Sequence, residues 1–251
     1  MNQKGKFTEK DISQSSGLWQ TIYTTDVNGD GQQDILAGNW GHNSKLWAGR
    51  NGPVKLYIKD FDNNGSVEQV MTYTVNNEEY PFLAKDELER ALPVLKKAYL
   101  NYSDVAGKTV QYMFYDLFKN YVELKAETLS SSVFINDGNG NFVRKDLPDD
   151  LQLAPVMAFA PFGSVAGSYW AGGNYYGVIP YEGRYDALQP TAFTIDKDLS
   201  IGAVRNLLPE INGEIRDIKW INYGGEQTLV LAFNNKGLTF IRQIKPKGYE
   251  F

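Results

Sequence analysis

Short apolar runs separated by polar turns cover most of the chain. Runs such as Leu18–Thr25 and Val54–Lys59 are rich in β-branched and aromatic residues and are bounded by Gly, Asn and Asp. This pattern predicts strands joined by tight turns, because Asn and Gly accept the positive φ angles that hairpins need. The other predicted strands are Phe7–Ile12, Asp34–Gly38, Gln69–Val75, Ser132–Asn136, Phe142–Lys145, Val156–Ala160, Ser168–Gly172, Ala192–Ile195, Ile215–Ile221, Gln227–Phe233 and Leu238–Ile241. The hydrophobic pattern therefore predicts an all-β protein.

One region, residues 84–129, departs from the strand pattern. Its apolar residues recur at helical spacing, and they are Leu88, Leu92, Leu95 and Tyr99, then Val110, Met113, Phe114, Leu117, Phe118 and Tyr121. Asp86 with Glu89 three residues later predicts a capping box, and Pro93 predicts a kink or the start of a second helix. We therefore expect residues 84–129 to form a helical insertion of two or more helices packed on the sheets.

A weak internal repeat runs through the predicted strands. Four segments share one order: an apolar strand, a polar loop of about nine residues, and a second apolar strand that often ends in Gly-Asn. They are IYTTDVNGDGQQDILAGN, LYIKDFDNNGSVEQVMTY, VMAFAPFGSVAGSYWAGGN and IRDIKWINYGGEQTLVLAFN. Four such units predict about four blade-like sheets of one radial array, a β-propeller or part of one.

The first of these loops has the side chains of a calcium site. Counted from Asp26, oxygen-bearing side chains fall at positions one, three, five and nine, namely Asp26, Asn28, Asp30 and Asp34. Gln32 at position seven can offer its backbone carbonyl, and glycine stands at position six, where the loop must bend. Hard cations such as Ca²⁺ are held by six to eight oxygens in this way, and the metal charge offsets the repulsion between carboxylates.

The second loop repeats the same register. Asp60, Asp62, Asn64 and Glu68 occupy positions one, three, five and nine, with Ser66 at position seven and glycine again at position six. The acid closes each loop at position nine rather than twelve, so neither loop is an EF-hand. Asn64 lacks one charge, so we expect the second site to be weaker. The alternative is that both loops are polar hairpin turns, in which Asp, Asn and Gly are common.

Composition excludes several classes of function. The 251 residues carry a net charge of −5 with no basic run, which argues against a nucleic-acid partner. The chain has no Cys, which excludes disulfides, thiolate chemistry and Cys-ligated metals. No apolar run approaches the ~20 residues that a membrane-spanning helix needs. We expect residues 1–251 to form a single propeller-like domain.

At these loops the sequence resembles the FG-GAP/VCBS repeat family, which includes integrin-α-type β-propellers. Loops of the type D-x-[DN]-x-D-G-x-x-D bind Ca²⁺ there, between the first two strands of a blade. The segments SSVFINDGNGNFVRKDLP, AGGNYYGVIPYEGRYDA and KDELERALPVLKKAYLNY also look like the C-terminal region of large VCBS-repeat proteins of Bacteroidetes. The resemblance implies calcium as cofactor and a secreted or cell-surface location. Seven blades are usual in that family, so the chain is either the end of a longer propeller or a small one.

Aromatic residues concentrate in one stretch outside the acidic loops. Tyr175, Tyr176, Tyr181, Arg184 and Tyr185 lie in YYGVIPYEGRYD. Exposed Tyr and Arg are typical anchors of binding surfaces, so these residues are the candidate ligand site, with packing between blades as the alternative. The only histidine, His42, is expected to be structural or solvated, since a triad or zinc site needs further partners.

The sequence therefore predicts a non-catalytic, Ca²⁺-binding surface or secreted module for protein or polysaccharide. Two alternatives stay open: a Ca²⁺-dependent polysaccharide-active enzyme, and a purely structural fragment of a larger propeller.

Overall fold

The computed structural model of the chain describes residues 2–3, 5–7, 9–47, 52–179, 182–202 and 204–242. The strands are β1 Asn2–Gln3, β2 Lys6–Phe7, β3 Thr21–Thr25, β4 Asp34–Gly38, β5 Val54–Lys59, β6 Glu68–Val75, β7 Glu78–Pro81, β8 Val122–Ala126, β9 Ser132–Asn136, β10 Phe142–Asp146, β11 Val156–Pro161, β12 Ser168–Gly173, β13 Thr191–Thr194, β14 Arg205–Asn206, β15 Ile215–Tyr223, β16 Glu226–Phe233 and β17 Thr239–Arg242. The helices are α1 Lys85–Ala91, α2 Pro93–Ala98, α3 Tyr102–Val105 and α4 Val110–Phe114, with 3₁₀ turns at Tyr115–Leu117 and Asp149–Leu151. The protein is mostly β, as the hydrophobic pattern predicts.

The chain divides into two compact units. The first unit comprises Met1–Leu18 and Ser44–Leu129, and the second unit comprises Trp19–Asn43 and Ser130–Phe251. Strands β4 and β9 pair with each other although residues 44–129 separate them in sequence. In chain order the first unit is thus largely an insertion between two neighbouring strands of the second. The prediction of a single domain stays a prediction.

Three antiparallel sheets build the second unit. Their strand orders are β3–β4–β9–β10, β11–β12–β13–β14 and β15–β16–β17. Apart from the step from β4 to β9, each strand lies beside its neighbour in the order of the chain. β11 contacts β3 and β4 of the preceding sheet and β15 of the following one. One cluster of buried apolar side chains joins residues of the first two sheets, and another joins residues of the second and third sheets. The sheets therefore follow one another in chain order, and none of them closes on itself among the described strands.

Besides the two-stranded β1–β2 sheet, the first unit contains a four-stranded sheet covered by helices on one face. Its strand order is β7–β6–β5–β8, so β8 returns to pair with β5 and the sheet is not a simple meander. The buried cluster joins Tyr57, Phe61 and Val70 of the sheet and the loop after β5 to residues of the helices, which are Leu88, Leu92, Leu95, Val110, Met113 and Phe114. The predicted packing of helices on a sheet is confirmed for this unit.

Details of the helical region differ from the sequence prediction. α1 begins after Ala84 without a side-chain cap, whereas the capping box occurs at Asn101 and Asp104, where both hydrogen bonds are present. Pro93 is the first residue of α2, as one of the two alternatives predicted. Tyr115 adopts a positive φ of 39°, which ends α4. The predicted helical stripe therefore stops early, and the end of the 84–129 region is strand β8 rather than helix.

The four predicted strand–loop–strand segments are all antiparallel hairpins, formed by β3–β4, β5–β6, β11–β12 and β15–β16. The expected loop of about nine residues is wrong for the last two hairpins: the loop between β11 and β12 has six residues, 162–167, and the fourth is shorter still. The strands of the fourth hairpin continue to a two-residue turn at Gly224 and Gly225, both with positive φ, because a Gly-Gly pair suits the tight hairpin turn. The predicted strand Phe7–Ile12 is reduced to β2, which pairs with β1.

Candidate metal centres

Both acidic loops join the strands of a hairpin at the same register. β3 ends at Thr25, which pairs with Asp34 at the start of β4. β5 ends at Lys59, which pairs with Glu68 at the start of β6. Position nine of each loop is therefore the first residue of the returning strand, so the sheet itself holds the closing carboxylate in place.

In the first loop, the carboxylate at position one collects backbone donors. Asp26 Oδ1 accepts from the N–H groups of Gly29 and Asp30 at 2.7 and 3.2 Å, and its Oδ2 accepts from Gly31 at 2.8 Å. The hydrogen bond from Gly31, larger than the opposing effect of burial, lowers the pKa of Asp26 from its ordinary value of 3.8. Asp26 is thus ionised at neutral pH, as a metal ligand must be.

In the second loop, Asp60 has the same role. Its Oδ1 accepts from Asn64 N–H at 3.0 Å and its Oδ2 from Gly65 N–H at 2.9 Å. These donors stand at positions five and six, as two of the Asp26 donors do. The position-six glycines, Gly31 and Gly65, have φ angles of +85° and +90°, a conformation that other residues rarely adopt.

Positions two and nine are also linked in both loops. Val27 N–H donates to Asp34 Oδ2, and Phe61 N–H donates to Glu68 Oε2, each at 2.9 Å. The side chains of Val27 and Phe61 are buried in the hydrophobic cores. The side chain at position two therefore fixes the loop to the hydrophobic core, and the N–H of the same residue orients the acid at position nine.

Positions five and seven complete the correspondence. Gln32 N–H donates to Asp30 Oδ1, and Ser66 N–H donates to Asn64 Oδ1, both at 2.7 Å. Three kinds of hydrogen bond thus recur at equivalent positions in two loops of different sequence. Bonds to an Asp oxygen from the N–H two or four residues later also occur in the turns at Asp137 and Asp198. The bond from position two to the acid at position nine is therefore the feature that sets these two loops apart from a polar turn.

The second loop gathers three acids into one cluster. Oxygens of Asp60, Asp62 and Glu68 lie within 4.8 Å of one another, and no other such group occurs among the described His, Asp and Glu residues. Asp62 Oδ1 is buried and has no hydrogen-bond partner. A buried carboxylate oxygen without a partner is costly, so the cluster is suited to a cation.

In the first loop, the carboxylates at positions five and nine are hydrogen-bonded to N–H and amide groups of the chain and do not form such a cluster. Both oxygens of Asp34 accept backbone N–H groups, Oδ2 from Val27 and Oδ1 from Asn136 at 2.8 Å. Asp30 Oδ2 accepts from Asn28 Nδ2 at 2.9 Å, so this acid is turned toward a neighbouring amide. The sequence predicted a weaker second site because Asn64 replaces a charged residue at position five. Each loop nevertheless has three carboxylates, since Asp62 stands at position three of the second loop. The carboxylates that lie close together are those of the second loop.

The predicted ligand-binding residues have different environments. Tyr185 is buried, and its ring packs edge-on against Trp40 at 5.3 Å. Tyr175 is partly buried and packs against the same indole at 5.2 Å, while Tyr181 lies outside the described residues. The core thus contains Tyr185 and much of Tyr175, because these rings fill space between strands. Among the described residues of the candidate site, this leaves Tyr176 and Arg184 for contact with a ligand.

The rest of the candidate site is an Arg–Tyr pair, in which Arg184 is exposed and Tyr176 is partly buried. Arg184 stacks over the Tyr176 ring at 4.6 Å and forms an ion pair with Asp186 at 3.0 Å. The Arg184 side chain is 61% exposed, so its guanidinium is accessible to a ligand. An exposed cationic group therefore lies over a partly buried aromatic ring.

A buried polar network anchors the start of this aromatic segment. Glu214, itself buried, accepts from the N–H of Tyr176 at 2.8 Å and from Asn234 Nδ2 at 2.9 Å, and it pairs with Arg216 at 2.7 Å. Burial raises the pKa of Glu214, but these three partners outweigh it and the pKa is lowered. The backbone at Tyr176 is therefore held by a carboxylate rather than by a strand.

Sequence analysis did not identify a cavity in the second unit. It has a volume of about 380 Å³ and is lined mainly by Phe162, Val165, Trp170, Leu208, Trp220 and Ile241. Trp220 Nε1 donates to Pro161 O at 2.8 Å, whereas the buried Trp170 Nε1 has no acceptor. No sequence signal links Phe162 to Ile241, because only the packing of consecutive sheets brings them together.

The single histidine contacts buried polar residues. His42 Nε2 lies 2.7 Å from the hydroxyl of Ser130, a buried residue beside β9. The backbone N–H of His42 donates to the carbonyl of Gln152 at 2.7 Å, and the Gln152 side chain pairs with the backbone of Ser131. These hydrogen bonds to buried polar residues fit a structural role for His42.

Comparisons with protein-family models, with curated proteins and with solved structures found no match to this chain. Among the described residues, no helix has the length and apolar character needed to cross a membrane.

Proposed function

We propose that this chain is a non-catalytic Ca²⁺-binding module, built on a partial propeller of the FG-GAP/VCBS type, that binds a protein or polysaccharide ligand. The observation that carries the proposal is the shared hydrogen-bond geometry of the two acidic loops, together with the acid cluster in the second. Sheets that succeed one another in chain order support the propeller-like arrangement. A secreted or cell-surface setting follows from the family resemblance, and millimolar Ca²⁺ there fills sites of modest affinity.

The donor set of the second loop fits calcium. Ca–O distances of about 2.3–2.6 Å place ligands on opposite sides of the ion roughly 5 Å apart, which matches oxygens that lie within 4.8 Å of one another. All donors are oxygens, as a hard cation requires. Asp60, Asp62 and Glu68 would supply carboxylates, and Asn64 and the Ser66 carbonyl would complete the set. The ion would neutralise three acids and rigidify the hairpin.

The equivalent residues of the first loop form a second proposed site. Asp26, Asp30 and Asp34 would supply carboxylates there, with Asn28 and the Gln32 carbonyl as neutral donors. Its acids already accept several N–H groups, so it would need more rearrangement than the second loop.

Calorimetric titration with CaCl₂ tests the metal proposal. We expect Asp62→Asn, which keeps the shape of the side chain, to weaken or remove one binding event and leave the other. The control is Asp116→Asn, an exposed acid in the helical part of the same unit. Unchanged calcium affinity and stoichiometry in Asp62→Asn would contradict the assignment of the second loop.

For the ligand, we propose that the Tyr176–Arg184 pair contacts an acidic glycan or an acidic protein patch. The stacked guanidinium can bind a carboxylate through two parallel hydrogen bonds, and the ring offers contact area at low entropic cost. We propose no catalytic role for the chain, because the acid cluster found among the described residues belongs to the proposed metal loop.

A glycan-array screen with and without Ca²⁺ tests the ligand proposal. We expect the double variant Tyr176→Ala with Arg184→Ala to lose binding. The control is Tyr223→Ala with Arg242→Ala, because this pair also places a guanidinium over a tyrosine ring, at 5.5 Å, in the same unit. Equal loss in both double variants would show that the effect is not specific to the aromatic segment.

A further inference from the structure

The strand β8 lies at an edge of the first unit's sheet. Among the described strands it pairs with β5 alone. Just beyond it, the N–H groups of Glu127 and Thr128 donate to Ser16 O at 2.7 and 3.0 Å, so the edge is occupied there. The stretch from Val122 to Ala126 is left with one edge on which backbone groups can pair with another strand.

The side chains of this edge strand are unusual for a solvent-facing position. Val122 and Leu124 are 59% and 52% exposed. They pair with Ile58 and Leu56 of β5, so they share the face of the sheet opposite to that of Tyr57, which packs in the helical cluster. An exposed apolar edge strand favours association with another strand.

The charged residues of β8 indicate which strand would fit. Glu123 and Lys125 flank Leu124 symmetrically, so the order of charges is complementary to itself when reversed. From this we infer that a second copy of this chain pairs antiparallel with β8 about a two-fold axis at Leu124. Each Glu123 then faces Lys125 of the other copy, and the two Leu124 side chains meet at the axis.

Other registers of the same pairing are disfavoured. A two-fold axis perpendicular to the sheet keeps each residue opposite one that points to the same face, so the axis must pass through a residue. An axis at Glu123 would place two glutamates opposite each other, and an axis at Lys125 would do the same with two lysines. Like charges directly opposite destabilise a sheet, whereas opposite charges stabilise it. The register at Leu124 is the one that sets both charges of each strand opposite their complements.

Both charged residues of β8 already have partners within the chain. Glu123 lies 3.5 Å from Lys55, and Lys125 lies 2.8 Å from Glu127. The Lys125 side chain is 52% exposed and the Glu123 side chain 36% exposed, so both retain room for a second partner. Pairing would join two four-stranded sheets into one continuous sheet across the axis.

Sedimentation velocity over a range of protein concentrations tests this inference on the full chain. We expect a species of twice the 28.3 kDa chain mass to grow with concentration. Glu123→Lys and Lys125→Glu should each sediment as monomers where the wild type is dimeric. The double variant carrying both changes should restore the dimer, because it re-creates the opposite-charge pairs with reversed sign.

Two further variants separate pairing at β8 from general association. Leu124→Arg should give a monomer, whereas Val143→Arg on the edge strand β10, where Val143 is 65% exposed, should leave the dimer unchanged. Circular dichroism confirms that each variant is folded. Hydrogen exchange should show amide protection in residues 122–126 that increases with concentration.

A wild type that is monomeric at every concentration would overturn the inference. So would a folded double charge-swap variant that stays monomeric, or a dimer that survives Leu124→Arg. Calcium is not required for the pairing, so failure here leaves the metal proposal standing.

Discussion

At the scale of single residues, the apolar residue at position two explains how each acidic loop keeps its shape. Val27 and Phe61 are 4% and 0% exposed, although both neighbours of each are polar. Because their N–H groups donate to Asp34 and Glu68, burying one side chain also positions one acid. Burial in the core thus fixes the position of the acid that we propose as a metal ligand.

We predict that the second loop binds Ca²⁺ more tightly than the first. Its acids already converge, so less rearrangement opposes binding, and we expect a difference of about tenfold or ~1.4 kcal/mol. Calorimetry should show that Asp60→Asn removes the tighter binding event and Asp26→Asn the weaker one. The opposite assignment would mean that carboxylate convergence does not determine affinity here.

A second residue-scale prediction concerns acid stability. The folded-state pKa of Glu214 is lowered from its ordinary 4.5, so its contribution to stability is present above that value and is lost as pH falls through the folded pKa. We expect the denaturation midpoint of Glu214→Gln to depend less on pH below about 4.5 than that of the wild type.

Glu210→Gln provides the control for this measurement, because Glu210 is an exposed carboxylate of the same unit. This variant shows how much of any effect comes from replacing a Glu by Gln at the surface. Identical pH profiles for wild type and Glu214→Gln would show that the polar network at Tyr176 does not contribute to the pH dependence.

At the scale of elements, the second acidic loop and the helices share one core. The Phe61 ring packs edge-on against Phe114 of α4 at 5.2 Å. Lys59, the last residue before the loop, donates to the carbonyls of Leu117 and Lys119 at 3.0 and 2.7 Å. The loop is therefore tied to the helical region both where the chain enters it and at its buried anchor.

We predict that Phe114→Ala destabilises the protein by about 3–5 kcal/mol, the cost expected when a fully buried Phe leaves a cavity. Phe114 is 1% exposed and belongs to this buried cluster. The matched control is Leu100→Ala in the same helical region, where the side chain is 79% exposed and a change within ~0.5 kcal/mol is expected. Urea denaturation measures both, and a loss below ~1 kcal/mol for Phe114→Ala would contradict its place in the core.

At the scale of the whole molecule, chain order and spatial grouping differ. The first unit contains the second acidic loop and the four described α-helices, yet most of it, Ser44–Leu129, lies in sequence between β4 and β9 of one sheet in the second unit. That sheet of the second unit therefore pairs two strands that a long insertion separates in the chain.

We predict that Ca²⁺ raises the melting temperature of the whole chain. An ion that binds only the folded state stabilises it by RT ln(1 + [L]/Kd), about 2.7 kcal/mol at a hundredfold excess over Kd. Differential scanning calorimetry should show a rise with added CaCl₂ and a fall with chelator. The Asp62→Asn variant should respond less, and an unchanged melting curve after thorough chelation would count against both loops.

The sequence by itself determined the local features of this protein. Apolar runs bounded by Gly, Asn and Asp predicted the hairpins. The helical spacing of residues 88–99 and 110–121 predicted helices that pack on a sheet, although α4 ends at Phe114. Of the two outcomes predicted at Pro93, a kink or a helix start, the structure shows the helix start. The two acidic loops align residue by residue in the sequence alone, because side-chain oxygens, a position-six glycine and flanking strands all lie within or beside nine residues. Such features depend on neighbours in sequence, where propensity and turn chemistry act.

Only the tertiary structure decided which of these pieces belong together. The pairing of β4 with β9 made residues 44–129 an insertion and placed the two acidic loops in different units. Burial removed Tyr185 from the candidate surface, and the return of β8 to β5 ended the helical region early. Convergence of Asp60, Asp62 and Glu68 likewise depended on how the strands position their carboxylates. Contacts between residues distant in sequence depend on which of many possible packings buries the most apolar surface while keeping its polar groups hydrogen-bonded. The local sequence pattern is compatible with many of these packings, so it does not determine which one forms.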